Sequence, residues 1–202
     1  MSRFFGPLDP EGRVPRRQQT RVAAFLISAH GALARQFALA LPLKLDHAWQ
    51  TELNAQVYRE AEIVSLLTRS TAWVPDLALG YMFASWETAW LPEPIEEIAD
   101  PSRAGAIHLT TLAHAVHAGI RPSALLPVNA KSDDPFVVAL RRIEFESGRL
   151  LQAQILFLKS PDLLPVRGAV STALEKRHAG VRRLWRGALE SVGIAVTNDE
   201  ER

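Results

Sequence analysis

Histidines are the first residues in this chain whose types and spacing suggest chemistry. His114 and His117 stand three apart in a segment with helical spacing, and His108 lies two turns earlier, so their imidazoles could converge on one ion. No carboxylate or further histidine follows at matching spacing, and the expectation is ordinary surface or pocket histidines with no metal and no cofactor. Asp133-Asp134 and Glu93, Glu96 and Glu97 could form acid/base pairs, but acids beside proline or at a helix start usually serve as caps. Ser28, Ser65, Ser70, Ser85 and Ser147 lack the Gly-x-Ser-x-Gly elbow, and no Gly-rich phosphate loop is present. With no cysteine, thiolate chemistry, thiolate zinc sites and disulfides are excluded together.

The elements that must position these groups are read from periodicity. At 202 residues and 48% hydrophobic content, the chain suits one globular domain with a substantial core. A net charge of +1 argues against wholesale nucleic-acid or membrane binding. Residues 1–19, rich in Pro, Gly and Arg, read as an irregular arm. From Thr20 to Leu39, Val22, Phe25, Leu26, Ala29, Leu33 and Phe37 recur at helical spacing. The apolar run 22–43 is broken by His30, Arg35 and Gln36, which makes a poor membrane span and a good amphipathic helix. Arg16-Arg17 ahead of it and Ala32-Leu33-Ala34 keep a secretory leader open as the alternative to the expected cytoplasmic location.

Leu43, Leu45, His47 and Trp49 alternate with polar positions and predict a strand. Residues 57–68 and 77–86 predict two more, with turn signals at Arg69-Ser70-Thr71 and Pro75-Asp76. Residues 136–145 and 150–158 flank Ser147-Gly148 as a second hairpin. A short helix is expected at 95–99, a partly helical stretch at 104–117, and a long amphipathic helix from Gly168 to Val192. The predicted fold class is therefore α+β, a mainly antiparallel sheet backed by helices, with a domain over 20–165 and a helix and polar tail over 166–202.

This order resembles that of the chorismate lyase family. The residues that carry the resemblance are the segment His30-Gly31-Ala32-Leu33-Ala34-Arg35-Gln36-Phe37, Pro75-Asp76-Leu77-Ala78, Leu91-Pro92, Gly105-Ala106-Ile107-His108-Leu109, and Arg141-Arg142 leading through Ser147-Gly148-Arg149 into Leu156-Phe157-Leu158. The resemblance implies a cavity that takes a small aromatic or carboxylated molecule and cleaves chorismate to para-hydroxybenzoate and pyruvate, without a metal. Arg59, in an Arg-Glu pair like the family's, is implied as the carboxylate clamp, with His108, Arg141 and Arg142 lining the site. Ile155 stands where the family carries its glutamate, so binding without cleavage is implied beside the lyase reading. The other expectation is a regulatory or interaction module of the same fold, with Lys176, Arg182, Arg183 and Arg186 on the last helix as a partner surface. Those cations have no interleaved aromatics suited to base stacking, Trp185 falling on the apolar face of the helix, which disfavours nucleic acid.

Overall fold

The computed structural model describes residues 16–43, 45–70, 98, 100–122 and 133–191. Five α-helices account for most of them: α1 (Arg16–Ala40), α2 (His47–Ser70), α3 (Pro101–Gly119), α4 (Pro135–Leu158) and α5 (Arg167–Ser191). A 3₁₀ helix, Pro161–Val166, joins α4 to α5. Among the described residues 90% are helical and none is in a strand, so the expected α+β class with its antiparallel sheet is corrected to an all-helical fold. Among the described residues there is no part of the sheet that the family resemblance implied. The strand expected at 77–86, the junction at Leu91-Pro92 and the short helix at 95–99 lie outside or almost wholly outside the described residues.

The correction falls on α2 and α4. In α2 the buried residues are Trp49, Leu53, Gln56, Glu60, Ile63 and Leu67, spaced alternately four and three apart. That is the seam of a helix packed on helices, and polar residues occupy two of its positions. The Leu43 to Trp49 alternation that suggested a strand straddles a connection and a helix start. Asp46 begins the helix there, its Oδ1 accepting from the Trp49 amide at 3.0 Å, while Gln50 Nε2 donates back to the Leu41 carbonyl at 2.9 Å. In α4, Phe136, Leu140, Ile143, Ser147, Leu150 and Gln154 repeat the four-three spacing on the buried side. Asp134 caps it by accepting from the Phe136 amide at 2.8 Å, with Pro135 in the first turn.

Ser147-Gly148, read as a hairpin turn, sits mid-helix. A Cβ on Gly148 would meet nothing within 4 Å. Gly148→Ala is therefore expected to raise stability by about 0.5–1 kcal/mol, since alanine restricts the unfolded chain and fits a helix. Urea unfolding checks this, and a destabilised variant would contradict the continuous helix.

α3 is the central helix. Ala106 to Ala113 and Ala115 to His117 are all buried, and the helix packs on α1, α4 and α5. Gly119 permits the close approach of α5, for a Cβ there would lie 3.0 Å from Val181 Cγ1. α1 and α2 form a helical hairpin with the most extensive contact of any pair, and α2 also packs on α4. Val22 to His30 are buried without a break, which places the first half of α1 inside the bundle on all sides. Its stretch Val22–Ala40 is long and apolar enough to cross a membrane by length and composition, and 67% of the window is buried within the fold. One core joins all five helices through Phe25, Leu33, Phe37, Leu53, Leu67, Leu112, Phe136, Ile143 and Trp185. A second cluster gathers Trp49, Ala106, Ile107, Leu163 and Val170 beneath the 3₁₀ helix.

Candidate metal centre

Three of these helices each send a ligand-type side chain to one point of the interior. His30 comes from α1, Glu60 from α2 and His117 from α3, with exposures of 1%, 0% and 4%. A carboxylate removed from water this completely must be compensated locally or become protonated. Here both of its oxygens are faced by imidazoles: His30 Nδ1 lies 2.7 Å from Oε2 and His117 Nε2 lies 2.7 Å from Oε1. Burial is the largest single influence on Glu60 and pushes its pKa up. The charges and hydrogen bonds of His117 and His30 together outweigh it, holding the carboxyl at about 2, so it stays ionised.

The two contacts differ in direction. His30 Nδ1 donates to Glu60 Oε2 as a hydrogen bond. His117 Nε2 and Glu60 Oε1 are equally close and form an ion pair whose angles depart from those of an ideal hydrogen bond. The donor atoms of all three residues lie within 4.8 Å of one another. Donors around a tetrahedral zinc ion at its usual bond lengths are separated by about 3.3 Å, so the pair would open slightly to admit one.

Behind His117 runs a chain of amides. Gln154 of α4 has its Nε2 at 3.1 Å and its Oε1 at 3.4 Å from His117 Nδ1. The same Nε2 donates to Gln56 Oε1 at 3.2 Å, and Gln56 Nε2 donates to Glu52 Oε1 at 2.7 Å. Gln56 and Gln154 are 1% and 0% exposed, whereas Glu52 reaches partly into solvent.

The residues singled out from sequence are distributed differently. Of His108, His114 and His117, only His117 belongs to the centre. His108 lies in the α3–α5 seam, where Arg177 Nη2 donates to its Nδ1 at 2.5 Å while Arg177 Nη1 donates to the Thr111 hydroxyl. His114 Nδ1 pairs with His178 Nε2 of α5 at 3.0 Å. Arg59 is half-buried on α2, and Arg141 and Arg142 are exposed on α4, where Arg142 pairs with Glu146 at 2.6 Å. Among the described residues no hydrogen bond or ion pair joins any two of Arg59, His108, Arg141 and Arg142. Ile155 is half-buried, and its neighbour Gln154 points inward. Lys176, Arg182, Arg183 and Arg186 are exposed on α5, while Arg177 turns inward.

Sequence reading missed His30, Glu60, Gln56 and Gln154 as a group. The signal was present in α2 and α4 as polar residues standing at seam positions among mostly apolar ones. No protein-family model matches the chain, and neither a curated protein nor a solved structure matches it.

The α3–α5 histidines carry a pH prediction. Burial first, then the Arg177 charge, pushes His108 down to about 4; burial, then His178 and His117, does the same to His114. His178 is lowered by burial and then by Arg182. All three are neutral in folded and unfolded chains well above pH 6.5. As pH falls from about 6.5 towards 4, the unfolded chain takes up protons that the folded one refuses, so stability drops across that window. The urea midpoint is expected to be lower at pH 5 than at pH 7.5, and an equal or higher midpoint at pH 5 would contradict this placement.

Proposed function

We propose that this protein is a helical metal-binding protein whose His30–Glu60–His117 centre holds one divalent first-row transition-metal ion. The observation that carries the reading is the convergence of two imidazoles and one carboxylate from three helices at a buried point. Two nitrogens and one oxygen form a donor set that suits zinc or ferrous iron, and the absence of cysteine removes the softer alternatives. Three protein donors leave at least one coordination position for water or a small ligand. That composition is typical of catalytic centres, since structural zinc sites take all four donors from the protein. An ion held there would act as a Lewis acid on that ligand. As a carboxylate, Glu60 would contribute one negative charge against the ion's two, and binding would release any proton carried by His30 or His117.

Titration calorimetry of the chelator-treated full chain with Zn²⁺, Fe²⁺ or Mn²⁺, joined to elemental analysis, tests the reading. One equivalent per chain is expected, with binding lost in Glu60→Gln and in His117→Gln, both close in shape to the native residues. No stoichiometric uptake, or uptake unchanged in those variants, would leave the cluster as a hydrogen-bonded polar core and overturn the proposal.

A further inference from the structure

We infer that Gln154 is the positioning residue of this centre, setting which nitrogen of His117 carries the proton and hence whether its Nε2 can bind a cation. The inference rests on the metal reading above and extends it to a residue that touches no metal. A neutral imidazole has one N–H and one bare nitrogen, and a ligating histidine needs its outer nitrogen protonated and held by an acceptor. Gln154 places both ends of its amide at His117 Nδ1, Nε2 at 3.1 Å and Oε1 at 3.4 Å. Two polarities follow. With the amide N–H donating to Nδ1, the imidazole proton sits on Nε2 and faces Glu60. With Oε1 accepting from Nδ1–H, Nε2 is bare and free to coordinate. The change moves the proton from one ring nitrogen to the other, with no net gain or loss at the imidazole.

The rest of the chain fixes the amide. Glu52, when ionised, only accepts, so the nitrogen of Gln56 must face it and the oxygen of Gln56 must face Gln154. That oxygen holds one N–H of Gln154 in either polarity. Switching therefore asks only for a small rotation of the Gln154 amide about its last torsion, which is soft in such side chains. The interior position of Gln154, 0% exposed on the seam of α4, leaves no water-facing conformer to compete. A glutamine in that position has no packing advantage over leucine or methionine, whereas a two-ended partner for an imidazole requires an amide.

The test uses the full chain with Gln154→Glu and Gln154→Met. A carboxylate at that position only accepts, and partly exposed Glu52 can release Gln56 to turn its amide N–H towards it, so Gln154→Glu should hold His117 in the Nδ1–H tautomer and retain Zn²⁺ binding. Gln154→Met offers neither function and should weaken Zn²⁺ binding about 10–100-fold, the range seen for outer partners of ligating histidines. Two readouts are needed: Zn²⁺ affinity by competition with a chromophoric chelator, and the nitrogen-15 signature of the His117 ring in metal-free protein, with far-ultraviolet dichroism confirming the helices. Equal Zn²⁺ affinity in all three proteins, or a His117 ring in Gln154→Glu that carries its proton on Nε2, would overturn the role of Gln154 while leaving the metal reading intact. If the native chain takes up no Zn²⁺, the metal reading fails, and the tautomer measurement still decides whether Gln154 governs His117.

Discussion

Glu60→Ala is expected to destabilise the protein by about 3–5 kcal/mol, the cost of removing one partner from a fully buried charged network. The size follows from what is left behind. His30 and His117, themselves buried, lose the only acidic group that faces their ring nitrogens among the described residues, and a void opens between α1, α2 and α3. Glu60→Gln should cost clearly less, because an amide retains one acceptor oxygen and fills the same volume. Replacing all three residues by leucine should also cost less than the single truncation, since no unpaired polar group would remain. Urea unfolding monitored by far-ultraviolet dichroism measures each. A Glu60→Ala protein as stable as the native one would mean that the carboxylate is not enclosed as described. Acid adds a second handle: with its folded pKa near 2 and a usual value of 4.5, Glu60 contributes stability that is present above about 4.5 and lost as pH falls towards 2.

The second large effect separates a helix from a hairpin arm. Leu150 and Leu156 are six apart, so a strand would turn both to the same face, whereas a helix turns them to different sides. Leu150 is 1% exposed and Leu156 is 73% exposed. Leu150→Ala should therefore cost about 2–5 kcal/mol, the loss of a buried leucine plus the cavity it leaves. Leu156→Ala should stay within about 0.5 kcal/mol of the native protein. Comparable losses at the two positions would restore the extended reading of this segment and remove α4 from the fold.

How much of this was legible can be traced helix by helix. α1 covers the 20–39 segment and α5 covers 168–191 of the 168–192 segment, both legible from their apolar stripes, and α3 was legible in part. α2 and α4 were read as strands because Val, Ile, Phe and Leu are dense there and Ser147-Gly148 imitates a turn, so local composition outweighed the four-three spacing of Leu53, Gln56, Glu60, Ile63 and Leu67. Gln56, Glu60 and Gln154 interrupt the apolar stripe in sequence, and they are the residues that the interior uses. His117 was singled out as a ligand type, but its partners come from helices far away in sequence, and no local spacing announces such a meeting. His30 showed as an interruption of an apolar run and as the start of the segment that carries the family resemblance, and neither suggests that the imidazole is enclosed. Glu60 entered only as the neighbour of Arg59, and on α2 it is Glu60 that is buried, with Arg59 half-exposed.

The most direct test is a crystal of the full chain equilibrated with Zn²⁺ and measured at the zinc absorption edge. The account predicts one anomalous peak inside the helical bundle, about 2.0–2.2 Å from a ring nitrogen of His30, an oxygen of Glu60 and Nε2 of His117. Anomalous density confined to surface histidines, with His117 still facing Glu60 across an unchanged short contact, would contradict it.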